Sequence, residues 1–127
     1  MARILLVDDE PKIVVLTRMM LEKDGHEVLV ARNSAECFEK LKTETLDLIL
    51  MDIMLPDEDG WIACRKIKED KKTRDIPVAM FTVRTSDESV EKSFEYSHAD
   101  AHIDKPFDRK ELLDTVENLV KAAPKEP

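Results

Sequence analysis

Two glycines, two cysteines, one tryptophan and one tyrosine among 127 residues exclude several classes of protein at once. Cys37 and Cys64 form no CxxC pair and no metal-ligand spacing, so the chain encodes neither a disulfide framework nor a structural zinc site. Both sit in helix-like segments and read as small, reduced core residues of a cytoplasmic protein. Neither Gly25 nor Gly60 begins a glycine-rich phosphate loop. No apolar run approaches the ~20 residues needed to cross a bilayer. The first run, Ile4-Leu5-Leu6-Val7, is too short for a signal peptide and ends in two aspartates. Positive charge is in deficit: the net charge of −8 disfavours nucleic acid and anionic membranes as partners and favours basic surfaces or metal ions. Low-complexity segments and internal repeats are missing too.

What remains is a chain of one-domain length, 43% hydrophobic and 38% charged, able to bury a core without disulfides under a strongly solvated surface. Short apolar runs alternate with longer amphipathic stretches, five times over. The runs are Ile4-Leu5-Leu6-Val7, Val28-Leu29-Val30-Ala31, Leu48-Ile49-Leu50-Met51, Val78-Ala79-Met80-Phe81 and a weaker one around His102-Ile103. Runs apolar at every position imply strands covered on both faces, as in a parallel sheet. The first helix pattern has Pro11 in its opening turn, Ile13, Leu16 and Met20 facing inward, and Gly25 beyond its end. The second opens at Asn33 with Glu36 three residues on and turns Ala35, Phe38 and Leu41 inward. The third follows Asp57-Glu58-Asp59-Gly60 and presents Trp61, Cys64 and Ile67. The fourth opens on the capping-box spacing Thr85-Ser86-Asp87-Glu88, with only Val90 and Phe94 as an inward stripe. The last opens at Asp108, with Glu111 three on, and packs Leu112, Leu113, Val116, Leu119 and Val120. The expectation is one α/β domain with right-handed crossovers, a parallel five-stranded sheet of order 2-1-3-4-5 and helices on both faces. Residues 1–121 are expected to form it, and residues 122–127 a charged, proline-containing tail or linker stub.

In that topology ligands bind at the carboxyl ends of the first and third strands. Asp8-Asp9 follow the first, and Asp52 ends the third, where Pro56 prevents the run from continuing. Asp52 is then a strand-capping residue, a metal ligand or a nucleophile. Asp8 and Asp9 taken alone are acids favoured by the N-terminal dipole of the first helix. Three carboxylates at one sheet edge repel, and a divalent cation is the simplest compensation. Mg2+ prefers a few carboxylate oxygens, a carbonyl and waters, which Asp9, Asp52 and the Met54 carbonyl would supply, with Asp8 holding a coordinated water. After strands four and five, Thr82 places a hydroxyl and Lys105 an ammonium on the same rim, the donors that a phosphoryl group requires.

Together, Val7-Asp8-Asp9-Glu10, Met51-Asp52-Ile53-Met54-Leu55-Pro56 with Asp59-Gly60, Phe81-Thr82 and Asp104-Lys105-Pro106-Phe107 resemble the receiver domain of two-component response regulators, the CheY-like superfamily with its flavodoxin-like fold. The match spans almost the whole chain in the family's order and spacing. The resemblance implies a cytoplasmic phosphoprotein of signal transduction or a phosphorelay. In it, Asp52 receives a phosphoryl group from a sensor histidine kinase or histidine phosphotransfer protein and becomes an aspartyl phosphate. It implies that Asp8 and Asp9 serve the Mg2+ site, that Lys105 pairs with the phosphoryl group, and that Thr82 is the hydroxyl that swings towards it. Such a domain is no enzyme in the ordinary sense: it promotes only its own phosphorylation and slow dephosphorylation.

The sequence departs from that pattern at several places. The switch position three before the lysine, aromatic in the family, is His102, and burying a titratable ring would make the switch pH-sensitive. Phosphorylation-induced shifts near His102 that ignore pH would contradict this. The family's glycine seven before the lysine is His98; its spacing of four from His102 suits a metal, but the pair flanks a strand start and is not read as a site. Val83 is bulkier than usual and narrows access to Asp52. Two beyond Asp52 and Thr82 stand Met54, which does not orient an attacking water, and Arg84, which is expected to shield the phosphoryl group, so the acyl phosphate is expected to last minutes to hours; a lifetime of seconds would contradict it.

Three other readings compete. A haloacid-dehalogenase-type phosphatase needs a second aspartate where Met54 stands. A flavodoxin-like FMN carrier needs a Ser/Thr/Gly-rich loop where Asp8-Asp9-Glu10 stand. A degenerate receiver acting only as a phosphorylation-independent interaction module would have lost the acceptor or the lysine, and both are present. The expected output surface is the face of the fourth helix, fifth strand and fifth helix, read by a downstream target protein or a missing output domain. Neither membrane nor direct nucleic-acid binding is expected, and the cluster Lys71-Lys72-Thr73-Arg74 reads as a solvated loop.

Overall fold

A computed structural model describes residues 2–83, 95–105 and 107–122, with Thr82, Val83 and Ala122 given by backbone alone. Strand β1 (Arg3–Val7) leads to helix α1 (Pro11–Lys23), β2 (Glu27–Ala31), α2 (Ser34–Thr43), β3 (Leu48–Asp52), α3 (Gly60–Glu69) and β4 (Val78–Val83). The helical residues 95–97, α4, then precede β5 (Ala101–Lys105) and α5 (Arg109–Ala122). The opening of the fourth helix, with Val90 and Phe94, and the position of Arg84 lie outside the described residues.

All four strand pairings are parallel, and the order is β2-β1-β3-β4-β5, as the apolar runs imply. Alternation along the strands divides the core in two. Leu5, Val7, Ile49, Met51, Val78 and Met80 face α2 and α3, meeting Cys37, Trp61, Cys64 and Ile67. Ile4, Leu6, Leu48, Leu50, Ala79 and Phe81 face α1 and α5, meeting Leu21, Leu112 and Val116. Burial pushes the Cys37 and Cys64 thiols up to about 12, which keeps both protonated and unreactive. In β3 the residues Leu48, Ile49, Leu50 and Met51 are all fully buried, each contributing about 1.5–3 kcal/mol. A like-charge contact at ~4 Å near the surface costs about 4 kcal/mol, so the strand is secure enough to hold a carboxylate at its end against repulsion.

Two helices turn differently from expectation. In α1 the buried residues are Thr17 and Leu21, with Val14 and Met20 packed beside them, while Leu16 is exposed together with Val15 and Met19. The helix carries two apolar stripes, and the one that meets the sheet is interrupted by a threonine whose Oγ1 has no hydrogen-bond partner among the described residues. In α2, Ala35 is exposed and Ser34 takes the buried place, because Ser34 is bonded to Asp57 of the loop after β3. Asn33 and Asp108 cap as expected: their Oδ1 atoms accept from the Glu36 and Glu111 amides, both at 2.8 Å.

His98, one residue past the last described turn of α4, has φ 59°. An L side chain in the left-handed region costs about 1–2 kcal/mol, whereas glycine occupies it freely. His98→Gly is therefore expected to stabilise the protein by about 0.5–1 kcal/mol net of the added freedom of the unfolded chain, a rise of roughly 3 °C in thermal melting. A fall in melting temperature would mean that the imidazole holds the turn by its own contacts.

Candidate functional site

Pairing of β1 with β3 puts Val7 beside Met51, so the residues that follow, Asp8 and Asp52, emerge together at the carboxyl edge of the sheet. Asp8, Asp9 and Asp52 each bring one carboxylate oxygen within 4.8 Å of the others. Asp8 is wholly buried, Asp52 partly, and Asp9 is exposed. From β5, Lys105 reaches across to this group: its Nζ lies 3.2 Å from Asp52 Oδ1 and 3.5 Å from Asp8 Oδ2. The same Nζ sits over the Phe81 ring, 5.6 Å from its centroid, and Phe81 stacks on Phe107 at 5.2 Å with 13° between the planes. The ammonium thus lies over one ring of an aromatic pair.

Asp8 Oδ1 accepts from the Glu10 amide at 3.0 Å, but its Oδ2 is buried with no hydrogen-bond partner among the described residues; Lys105 approaches it only at ion-pair distance. Burial drives the Asp8 carboxyl above its ordinary value, and repulsion from Asp52 adds to this; the Glu10 amide and Lys105 pull the other way. Three carboxylates facing one ammonium, one of them with an orphaned oxygen, form a hard-oxygen donor set that fits a divalent cation such as Mg2+.

The loop from β3 to α3 is held from several directions. Met54 pairs with Asp59 in an isolated antiparallel bridge, and its side chain is 78% exposed. The Gly60 amide donates to the Ile53 carbonyl, and a Cβ on Gly60 would run into the Asp52 carbonyl oxygen. Asp59 Oδ1 accepts from the Trp61 amide at 2.7 Å, capping α3, and Glu58 pairs with Lys66. Asp57 crosses to α2, where its carboxylate accepts from the Ser34 and Ala35 amides and the Ser34 hydroxyl. The Ser34 amide chiefly holds the Asp57 carboxyl below its ordinary value.

The structure thus brings together Asp8, Asp9, Asp52 and Lys105. Thr82 lies one position beyond Phe81, the strand partner of Asp52, and its own backbone partner is Asp104; its side chain is outside the described residues, as is Arg84. Val83 pairs with Lys105. His102 is half-exposed on β5, with Nε2 4.0 Å from Asp104 Oδ1. Neither His98 nor His102 joins a group of three or more metal-ligating side chains among the described residues. Two contributors were not singled out from sequence: Phe81, as the platform under Lys105, and Asp57. The apolar strand end and the acidic run after Pro56 were the only traces of either.

The family model of the response regulator receiver domain matches residues 4–117. The chain is 38% identical over 117 residues to the protein PilH of Pseudomonas aeruginosa, covering 91% of this chain and 95% of that one. It is 35% identical over 127 residues to the DNA-binding dual master transcriptional regulator RpaA of Synechocystis sp., covering all of this chain but 52% of RpaA. The chain spans about half the length of RpaA and of several other curated relatives it matches. Among solved structures, the receiver domain of a signal transduction histidine kinase from Syntrophus aciditrophicus superposes with a TM-score of 0.92 at 30% identity, covering 100% of this chain and 96% of that one. The receiver domain of a sensor histidine kinase from Pseudomonas aeruginosa, with a magnesium ion coordinated in its active site cleft, gives 0.87 at 26% identity, covering 95% and 98%.

Proposed function

Since the chain belongs to the response regulator receiver domain family of two-component systems, we propose that Asp52 accepts a phosphoryl group from a phosphohistidine kinase or phosphotransfer protein and that the product switches a protein-interaction surface. The observation that carries this reading is the convergence of the Asp52 carboxylate with the Lys105 ammonium at 3.2 Å, beside Asp8 and Asp9. Receiver domains are phosphoacceptor signalling domains rather than classical enzymes, and the chemistry is stoichiometric.

An oxygen of Asp52 attacks phosphorus, the phosphorus–nitrogen bond to the donor imidazole breaks, and an acyl phosphate forms. Asp9, Asp52 and the Met54 carbonyl would hold Mg2+, with Asp8 holding one of its waters; the bound ion would neutralise the phosphoryl oxygens during transfer. Lys105, steadied on Phe81, moves its charge from the free carboxylates to the phosphoryl oxygens. The Thr82 hydroxyl follows the new acceptors, and His102 on β5 reports the change to the face of α4, β5 and α5. Met54, an exposed thioether that orients no water, and Arg84 favour a long-lived acyl phosphate.

The partners on this reading are a sensor histidine kinase or phosphotransfer protein, and a downstream target or output domain. A net charge of −8 argues against direct nucleic-acid binding by this domain, and a cytoplasmic location fits the partners. No described helix is long and apolar enough to cross a membrane. Residues 1–121 would form the receiver, with residues 122–127 as a tail or linker stub. The alternative, an interaction module that is never phosphorylated, has less in its favour, because acceptor and lysine are both in place.

The test is acetyl phosphate with Mg2+, read by Trp61 emission and by acid-stable, base-labile phosphate on the protein. The wild type should respond in both and Asp52→Asn in neither. A silent, unlabelled wild type would favour the interaction module instead.

A further inference from the structure

The first turn of α2 is capped from two places. The Glu36 amide is bonded by Asn33 Oδ1 at 2.8 Å, the local cap. The Ser34 and Ala35 amides are bonded instead by Asp57, at 2.9 and 3.0 Å, and the Ser34 hydroxyl reaches the same carboxylate at 3.2 Å. Asp57 lies 23 residues from Ser34 along the chain, at the tip of the turn that the Met54–Asp59 bridge closes. Three consecutive acids therefore hold that turn in three directions: Asp57 to α2, Glu58 to Lys66 of α3, and Asp59 to the Trp61 amide. Of these three polar contacts, that of Asp57 leaves the loop and α3 for a different helix. Without it, the turn between Met54 and Asp59 keeps its base but its tip is free to tilt.

We propose that Asp57 is a positioning residue for the acceptor site: by mooring the tip of the β3–α3 loop to the first turn of α2, it sets the Met54 backbone for cation binding beside Asp52. The inference rests on the phosphoacceptor reading above. Its mechanism is geometric. Charge-assisted bonds to helix-terminal amides are short and directional, and the dipole of α2 reinforces them. The loop then meets the incoming ion in place rather than ordering around it.

Residues that hold a metal site's ligands in place typically carry about 10–100-fold in affinity, so Asp57→Ala is expected to weaken Mg2+ binding, followed by Trp61 emission, by about tenfold. Labelling by acetyl phosphate at limiting Mg2+ should slow in step and recover at saturating Mg2+. Asp57→Asn keeps one acceptor oxygen and should recover part of the loss. Ser34→Pro attacks the mooring from the other side. Proline suits the first position of a helix, but here it removes the amide and hydroxyl that Asp57 binds. Its effect should match that of Asp57→Ala and should not add to it. Val116→Ala, in the core on the opposite face of the sheet, controls for stability: it should lower the melting temperature and leave Mg2+ affinity alone. A wild type that binds Mg2+ and takes up phosphate, with both properties unchanged in Asp57→Ala and Ser34→Pro, would overturn the mooring alone. Equal losses of affinity in Val116→Ala would also overturn it. A wild type that does neither would remove the phosphoacceptor reading and the mooring with it.

Discussion

Replacing Lys105 with methionine is expected to slow phosphorylation of Asp52 about a hundredfold while tightening the binding of Mg2+, because loss of one preorganised donor to a developing anion costs roughly 10²–10³ in rate. The two effects have opposite signs for one reason. In the free protein the ammonium lies 3.2 Å from Asp52 and 3.5 Å from Asp8, so it occupies part of the negative field that a divalent ion seeks. Removing it lowers the competition for the ion but leaves the transferring phosphoryl group short of a cation. Methionine has similar length and still packs on Phe81, so the change is one of charge more than of shape. The metal-free variant should also lose stability as pH rises. Burial already lifts the Asp8 carboxyl, chiefly, so the folded chain holds that proton more tightly than the unfolded one. Stability then falls from the ordinary carboxylate value upward through the lifted one, and loss of Lys105 lifts it further. Rates of labelling at saturating Mg2+, with a separate Mg2+ titration, measure both arms. An unchanged rate would remove Lys105 from the chemistry; weaker Mg2+ binding would mean that the lysine orders the pocket rather than competing for it.

Gly60→Ala should destabilise the protein by about 3 kcal/mol, or roughly 10 °C in thermal melting, the upper end of what overpacking costs. The added methyl would strike the Asp52 carbonyl oxygen and crowd the Ile53 Cα, which are backbone atoms with no rotamer to escape into. Either α3 moves off the sheet or the end of β3 bends, and both displace Asp52. Phosphorylation should therefore fall even at temperatures where the variant is folded. Gly25→Ala provides the contrast. Gly25 has φ 92° and open space around it, so an alanine there meets a conformational cost of about 1 kcal/mol and no collision. If the two variants melted alike, steric pressure on Asp52 would not be the reason for the glycine at 60.

Much of this site was legible in the chain because its logic is one of strand ends. Four apolar residues running into Asp52, and four into Asp8, announce buried parallel strands, and the order of such strands decides which ends adjoin. The trio of aspartates and Lys105 follow from that alone. What was hidden depends on rotation or on distance. In α1, Val14 and Leu21 compete with Ile13 and Leu16 for the inward face, and with Thr17 among the buried residues hydrophobicity points to the wrong stripe. Ala35 looked inward because alanine is apolar, yet the helix is rotated to offer Ser34 to Asp57. A cap arriving from 23 residues away leaves no periodic trace. The left-handed turn at His98 was visible only as a missing glycine, and its φ of 59° is a property of the folded backbone.

Asp52 and the Lys105 ammonium belong to parts of the sheet expected to come apart at different free energies. Asp52 terminates β3, an interior strand between β1 and β4, and Lys105 terminates β5, one of the two edge strands. Amide protons in β1 and β3, buried on both faces, would exchange with solvent only when the whole domain opens, whereas edge amides exchange through local fraying. The lysine can therefore withdraw and return on its strand many times during the life of one folded molecule, while the carboxylate it serves stays fixed. In deuterium exchange, the charge pair at this site would join the slowest and one of the faster segments of the sheet.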